Sequence, residues 1–159
     1  MNRFRRARIG LVETAVDRLH HAARRRGSSA TPAHLLAGID GERAAYFYLR
    51  RKGYIVVARR WSAGNVPGDI DLIAWHGPTL CFIEVKTRTA RDMKPAEAAV
   101  DRDKIAVLRR LARRYVRQLP SDLPPPARFD VISVYLVPGQ ATDIRHFENA
   151  FSWSAQRPA

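Results

Sequence analysis

The stretch GDIDLIAWHGPTLCFIEVKTR, residues Gly68 to Arg88, constrains the fold more than any other part of the chain. Two runs rich in Ile, Leu, Val and Phe flank His76-Gly77-Pro78-Thr79, so the segment reads as an antiparallel hairpin with its turn at those four residues. With that turn Trp75 faces Leu80 and, counting back along both strands, Asp71 faces Glu84. Alternation puts Asp69, Asp71, Glu84 and Lys86 on one face, and Ile70, Leu72, Ala74, Cys81, Ile83 and Val85 on the other. Directly opposed residues have Cβ atoms about 4.5–5.5 Å apart, so the two carboxylates repel unless something positive lies between them. A divalent cation is the natural occupant, and Lys86 places an ammonium beside it, opposite Asp69.

The apolar face needs a cover. The segment AHLLAGIDGERAAYFYLRRKG predicts a helix that starts after Thr31 as cap and Pro32 in the first turn, and stops near Gly53. Its stripe runs Leu35, Ile39, position 42, Tyr46, Leu49, and position 42 is a glutamate. Glu42 reads either as a salt-bridging residue at the edge of the stripe or as a carboxylate carried toward the hairpin. A short strand begins at Tyr54, and a polar loop from Arg60 to Gly68 leads into the hairpin. A long helix spans about Ala96 to Leu119, with Ile105, Leu108, Leu111, Ala112, Tyr115 and Val116 on one side and arginines, Arg109 and Arg113 among them, mostly on the other. The prolines of PSDLPPPAR end it. The run FDVISVYLV from Phe129 is apolar enough for a strand covered on both faces, and IRHFENAFSW reads as a short strand plus turn.

The 159 residues fit one domain of ordinary size, residues 31–159, preceded by a basic extension over residues 1–30 that contains a helix from Arg8 to Ala23 and a flexible link. The extension carries eight arginines against two acids, as either a nucleic-acid arm or a solvated tail. With 28 Lys and Arg against 15 Asp and Glu, net +13, the chain attracts polyanions, and DNA is the expected partner. Only four of the basic residues are lysines (Lys52, Lys86, Lys94, Lys104), which hints that a compact, mobile ammonium is wanted at those places. Cys81 is the single cysteine, excluding an intramolecular disulfide and a cysteine-built zinc cage and suiting a reducing cytoplasm. No apolar run is long enough for a membrane span or a secretory segment, so a cytoplasmic protein is expected. A phosphate-binding G-x-x-x-x-G-K-[ST] loop, a G-x-S-x-G elbow and an H-E-x-x-H helix are all missing. The five histidines lack ligand spacing and read as surface or turn residues.

The D…ExK pattern of the hairpin resembles the core of the PD-(D/E)xK, restriction-endonuclease-like, nuclease superfamily. More narrowly, GERAAYFYLRRKGYIVVARR, GDIDLIA, FIEVKTR, PAEAAVDRDK, RFDV and ENAF, in that order from about Gly38 to Phe151, resemble the YraN family of bacterial proteins. The helix glutamate followed by RRKGY is also similar to archaeal Holliday-junction resolvases. The resemblance implies an α/β fold with an α-β-β-β-α-β core, a mixed central sheet flanked by helices. It further implies an endonuclease that hydrolyses DNA, branched or structured DNA included, with Mg²⁺ or Mn²⁺, and a homodimer by analogy with the resolvases. Asp71 and Glu84 become the metal ligands, the Val85 carbonyl a further oxygen, and Glu42 a residue that completes or steers the shell. Lys86 orients water or meets transition-state charge, and Asp69 holds Lys86. Lys104 faces the phosphate backbone or caps the cleft, or is an ordinary solvated lysine; with Arg109 and Arg113 it forms the expected nucleic-acid contact. Asp130 reads as structural, paired with Arg128 or Arg145. Two departures stand out: DMKPAEAAV lacks the family's aromatic-glycine pair before its proline, and the arginine-rich extension is not part of the shared core. A binding or scaffolding module without turnover on the same fold is the alternative.

Overall fold

Covering both faces of so apolar a hairpin takes two layers of helix. The computed structural model describes residues 9, 11–16, 18, 32–90, 100–120 and 123–154. After helical residues at 11–16, the elements follow as α1 (Ala33–Lys52), β1 (Ile55–Ala63), β2 (Val66–His76), β3 (Thr79–Arg88), α2 (Arg102–Val116), β4 (Ala127–Tyr135) and β5 (Asp143–Phe151). The strands form one mixed sheet in the order β1-β2-β3-β4-β5, antiparallel throughout except for the parallel β3–β4 pair. This matches the expected α-β-β-β-α-β core, with β5 added at the edge. Thr31 and the link before it lie outside the described residues, as do most of the expected Arg8–Ala23 helix and residues 91–99. Glu13 is ion-paired with Arg51 at the end of α1.

Alternation splits the core in two. Ile73, Leu80, Phe82, Phe129 and Val131 pack with Leu108, Leu111 and Ala112 of α2, whereas Leu72, Ala74, Cys81, Ile83, Ile132 and Val134 pack with Ala45 and Leu49 of α1. The sheet is therefore apolar on both sides, not on one as the hairpin alone suggests. The expected single set is also broken. Ile70 joins Ile73 on the α2 side, away from Leu72. The break lies opposite Arg60, whose φ of 46° interrupts the extended backbone of β1 and lets Ala58 and Trp61 share one side.

Pro32 occupies the N-cap position of α1 instead of its first turn, and no side chain caps this end. Gly53, with φ 95°, closes the other end in the left-handed conformation that glycine adopts without strain. The buried stripe differs from the expected one. Leu35 is 52% exposed, and the helix meets the sheet through Gly41, Ala45 and Leu49. A Cβ on Gly41 would lie 1.9 Å from Thr87 Oγ1 and 2.9 Å from its Cβ, so only glycine allows this approach. Gly41→Ala is expected to destabilise the fold by about 1–3 kcal/mol, the range for overpacking, read as a lower urea midpoint at unchanged m.

Two boundaries depart from the sequence reading. The polar stretch Arg60–Gly68 is no loop: β1 continues to Ala63, turns at Gly64-Asn65, and β2 begins at Val66. Polar residues on the exposed side of a half-covered edge strand hide Trp61 and Ala63, which pack inward. Likewise α2 starts at Arg102, not near Ala96, because Asp101 is extended and its carboxylate accepts the Lys104 N–H at 2.7 Å as an N-cap.

Candidate active site

The hairpin register is the expected one, Trp75 opposite Leu80 and His76 opposite Thr79, but the ladder ends at Leu72 and Ile83. One residue further, β2 and β3 part enough for a side chain to take the place of a backbone acceptor: Asp71 Oδ2 accepts the Val85 N–H at 2.6 Å. This opening brings Asp71 and Glu84 together inside the protein, 9% and 3% exposed. Burial, and then the charge of Glu84, push the Asp71 carboxyl up to about 7, against the opposing pull of the Val85 N–H and Lys104. A carboxylic acid that holds its proton near neutrality beside a second buried carboxylate is an arrangement with a strong appetite for positive charge.

Two ammonium groups answer it. Lys86 Nζ donates to Glu84 Oε1 at 2.9 Å along the same strand. Lys104, in the first turn of α2, places Nζ 3.1 Å from Glu84 Oε2 and 4.0 Å from Asp69 Oδ1, and donates to the Asp69 carbonyl oxygen at 3.3 Å. Burial opposes the Lys104 charge, but Glu84 outweighs it and holds the ammonium above its ordinary range. Asp69 therefore steadies Lys104, not Lys86 as its position on the hairpin suggests. Sequence reading missed this because Lys104 reaches Glu84 only through the packing of α2 on the sheet.

Glu42 arrives from the α1 side, where it lines a cavity of about 260 Å³ together with Val85, Thr87 and Thr89. It is near enough to raise Asp71, yet both its oxygens accept from Arg60, at 2.8 Å each. Among the described residues, no group of three or more His, Cys, Asp and Glu is arranged to hold a metal ion as the side chains stand. The donor chemistry of the inner pair nevertheless suits Mg²⁺ or Mn²⁺: two buried carboxylates, one of them with Oε2 fully enclosed and accepting no aligned hydrogen bond. Arg109 and Arg113 lie further along α2, where they donate to the carbonyls of Ser152 and Ser154 (2.8 and 2.9 Å) and of Trp153 (3.0 Å), clamping the segment after β5.

A second polar cluster lies near the start of β4, where Asp130 pairs with Ile83 of β3. Asp130, fully buried, accepts from Arg128 Nε at 3.0 Å and the Asn149 N–H at 2.9 Å, and is bonded to His146 Nε2 at 2.9 Å. Arg128 continues to the Tyr54 hydroxyl at 2.8 Å and to Glu148 at 3.0 Å. The expected burial of Asp130 and its pairing with Arg128 hold, whereas Arg145 pairs with Asp143 instead. His146 is not a surface residue but 6% exposed against Asp130. Burial works against charge on Asp130, but the bonds from His146, Asn149 and Arg128 outweigh it and hold the carboxyl below its ordinary range. Burial, followed by the charge of Asp130, pushes the nearby Cys81 thiol up to about 12, so it stays protonated and inert.

The fold and site together define an α/β domain whose mixed sheet opens at the end of a hairpin to present two buried carboxylates between two lysines. The chain belongs to the family described as "Uncharacterised protein family UPF0102", whose model matches residues 41–134. It is 51% identical to a UPF0102 protein of Koribacter versatilis over 105 residues, 66% of this chain and 72% of the relative. A UPF0102 protein of Solibacter usitatus is 43% identical over 128 residues, 80% and 89% of the two chains, and one of Symbiobacterium thermophilum is 42% identical over 114 residues, 72% and 94%. The matched span runs from Gly41 of α1 to Val134 in β4 and so includes Glu42, Asp71, Glu84, Lys86 and Lys104. No helix of the described residues is long and apolar enough to cross a membrane.

Proposed function

We propose that this chain is a Mg²⁺- or Mn²⁺-dependent endonuclease that hydrolyses phosphodiester bonds of DNA in the cytoplasm, with branched or structured duplexes as the substrates to try first. The observation that carries the reading is the buried Asp71–Glu84 pair, where two acids lie side by side and one is pushed up to about 7. Perturbed carboxylates beside lysines concentrate at sites of chemistry. Asp71 and Glu84 would hold the ion, with the Val85 carbonyl and Glu42 at its margin. Bound there, the ion supplies Lewis-acid polarisation of a phosphoryl oxygen and acidifies water. Lys86, only 31% exposed and anchored on Glu84, stands ready to meet the negative charge that builds on the phosphoryl oxygens. The net charge of +13 draws the polyanion toward the site.

A second reading, a nucleic-acid-binding or scaffolding module without turnover, is supported by one feature: Lys86 and Lys104 already neutralise Glu84, and Arg60 neutralises Glu42. The two separate cleanly. Purified protein with Mn²⁺ and either linear duplex or four-way junction should give cleavage that EDTA stops and that Glu84→Gln lowers by about 10²–10³-fold. If neither DNA is cut, or Glu84→Gln cuts as the parent does, the enzyme reading is wrong; DNA held equally with and without metal would then favour the module. Whether the active form is a homodimer is read in the same samples by sedimentation.

A further inference from the structure

We propose that Lys104 is the resident counter-ion of this site, and that a divalent cation binds by displacing its ammonium from Glu84 and Asp69. The inference rests on the metal-site reading above and says how the site is held before metal arrives. Both oxygens of Glu84 are already occupied by ammonium: Oε1 by Lys86 at 2.9 Å, Oε2 by Lys104 at 3.1 Å. An ion that takes Glu84 as ligand has to dislodge one of the two. Lys86 is held by an aligned hydrogen bond from its own strand. Lys104 reaches the fully enclosed Oε2 and also Asp69, and its charge acts on Asp71 as well, so its ammonium is the one that stands by both inner acids. Lys104 is therefore the occupant that an ion shared by Asp71 and Glu84 has to displace.

Its placement is otherwise unfavourable. The first turn of a helix carries the positive end of the macrodipole and disfavours a cation, yet Lys104 stands there with its side chain only 25% exposed. The surrounding carboxylates of Glu84, Asp69 and Asp71 are what make the position tolerable. The choice of residue fits too: in a chain where 28 basic residues include only four lysines, two of the four meet at this one carboxylate. A compact ammonium on a flexible stem leaves more readily than a guanidinium fixed by forked hydrogen bonds. The free site is thus closed by its own lysine, and the apparent metal affinity is reduced by the fraction of time the ammonium is in place.

The test is Mn²⁺ binding alone, followed by calorimetry and by the electron paramagnetic resonance signal of free Mn²⁺, with thermal melts to establish that each variant is folded. Lys104→Met and Lys104→Gln should bind Mn²⁺ about tenfold or more tightly than the parent, the scale expected for removing one close cation from a partly buried site. Arg102→Gln, which removes the same charge from an exposed position in the same turn, should stay within about twofold. Glu84→Gln should lose the site. If both Lys104 variants bind Mn²⁺ no more tightly than the parent while Glu84→Gln still loses it, the counter-ion role is wrong and the metal site stands. If Glu84→Gln binds Mn²⁺ as the parent does, the metal site itself is wrong and the inference falls with it.

Discussion

Asp71→Asn should abolish Mn²⁺-dependent DNA cleavage, by about 10²–10³-fold or more, and at the same time make the protein more stable at neutral pH. The two effects share one cause. In the native protein the Asp71 carboxyl titrates near 7 instead of at its ordinary 3.8, because it is buried beside Glu84. Between those two values the folded protein holds a proton that the unfolded chain has lost, so stability falls as pH rises through this window and is flat above it. At pH 7 the penalty is on the order of 2 kcal/mol. The amide keeps an oxygen to accept the Val85 N–H and removes the repulsion, so the melting midpoint should rise by about 4–8 °C. The gain should vanish near pH 4, where the parent is itself protonated. Thermal melts of both proteins from pH 4 to pH 8, with cleavage measured on the same samples, check it. An unchanged or lower midpoint for the variant at pH 7 contradicts the reading of the pair.

The second large effect has the opposite sign at another buried aspartate. Asp130→Ala should cost about 3–5 kcal/mol, the scale for breaking one partner out of a buried charged network. Arg128, His146 and the Asn149 N–H would lose their shared acceptor, and with it the tie between β4, β5 and Tyr54 at the end of α1. The carboxyl of Asp130 lies below its ordinary range, so its contribution is present above that range and is lost as pH falls through the folded value. Urea midpoints of parent and variant should therefore stay apart by a constant amount from pH 7 down to about pH 4 and draw together as the pH falls further. Cleavage per folded molecule should be unchanged. A loss of activity larger than the loss of folded protein would assign this cluster to the chemistry after all.

Sequence alone distinguishes these two aspartates only in part. The hairpin was legible because its turn residues and its period of two agree, which fixes Trp75 opposite Leu80 and so brings Asp71 toward Glu84. The opening of the ladder beyond Leu72 was not, since it depends on Arg60 breaking alternation in the neighbouring strand. The second half of that strand was hidden by its own arginines and serine, which face outward while Trp61 and Ala63 face in. The helix before it was legible in extent, from the glycine stop at Gly53, but not in facing. A search for large apolar residues chose Leu35 and Ile39, whereas the contact is made by Gly41 and Ala45, whose small size is what lets the helix approach β3. The partners of Lys104 and His146 escaped for a common reason: each meets its carboxylate across elements distant in sequence, and no local spacing records such a meeting. Asp130 was readable as a buried partner of Arg128 because its strand is largely apolar and Arg128 lies two residues away on the same face.

On the proposed reading, Asp71 and Glu84 grip one divalent ion between them. Crystals soaked in Mn²⁺ and measured at an energy where manganese scatters anomalously test it most directly. A single strong peak is expected at about 2.1 Å from oxygens of both carboxylates, with Lys104 turned away from Glu84. No peak between the two carboxylates at a saturating Mn²⁺ concentration, or a peak bound to only one of them, would contradict it.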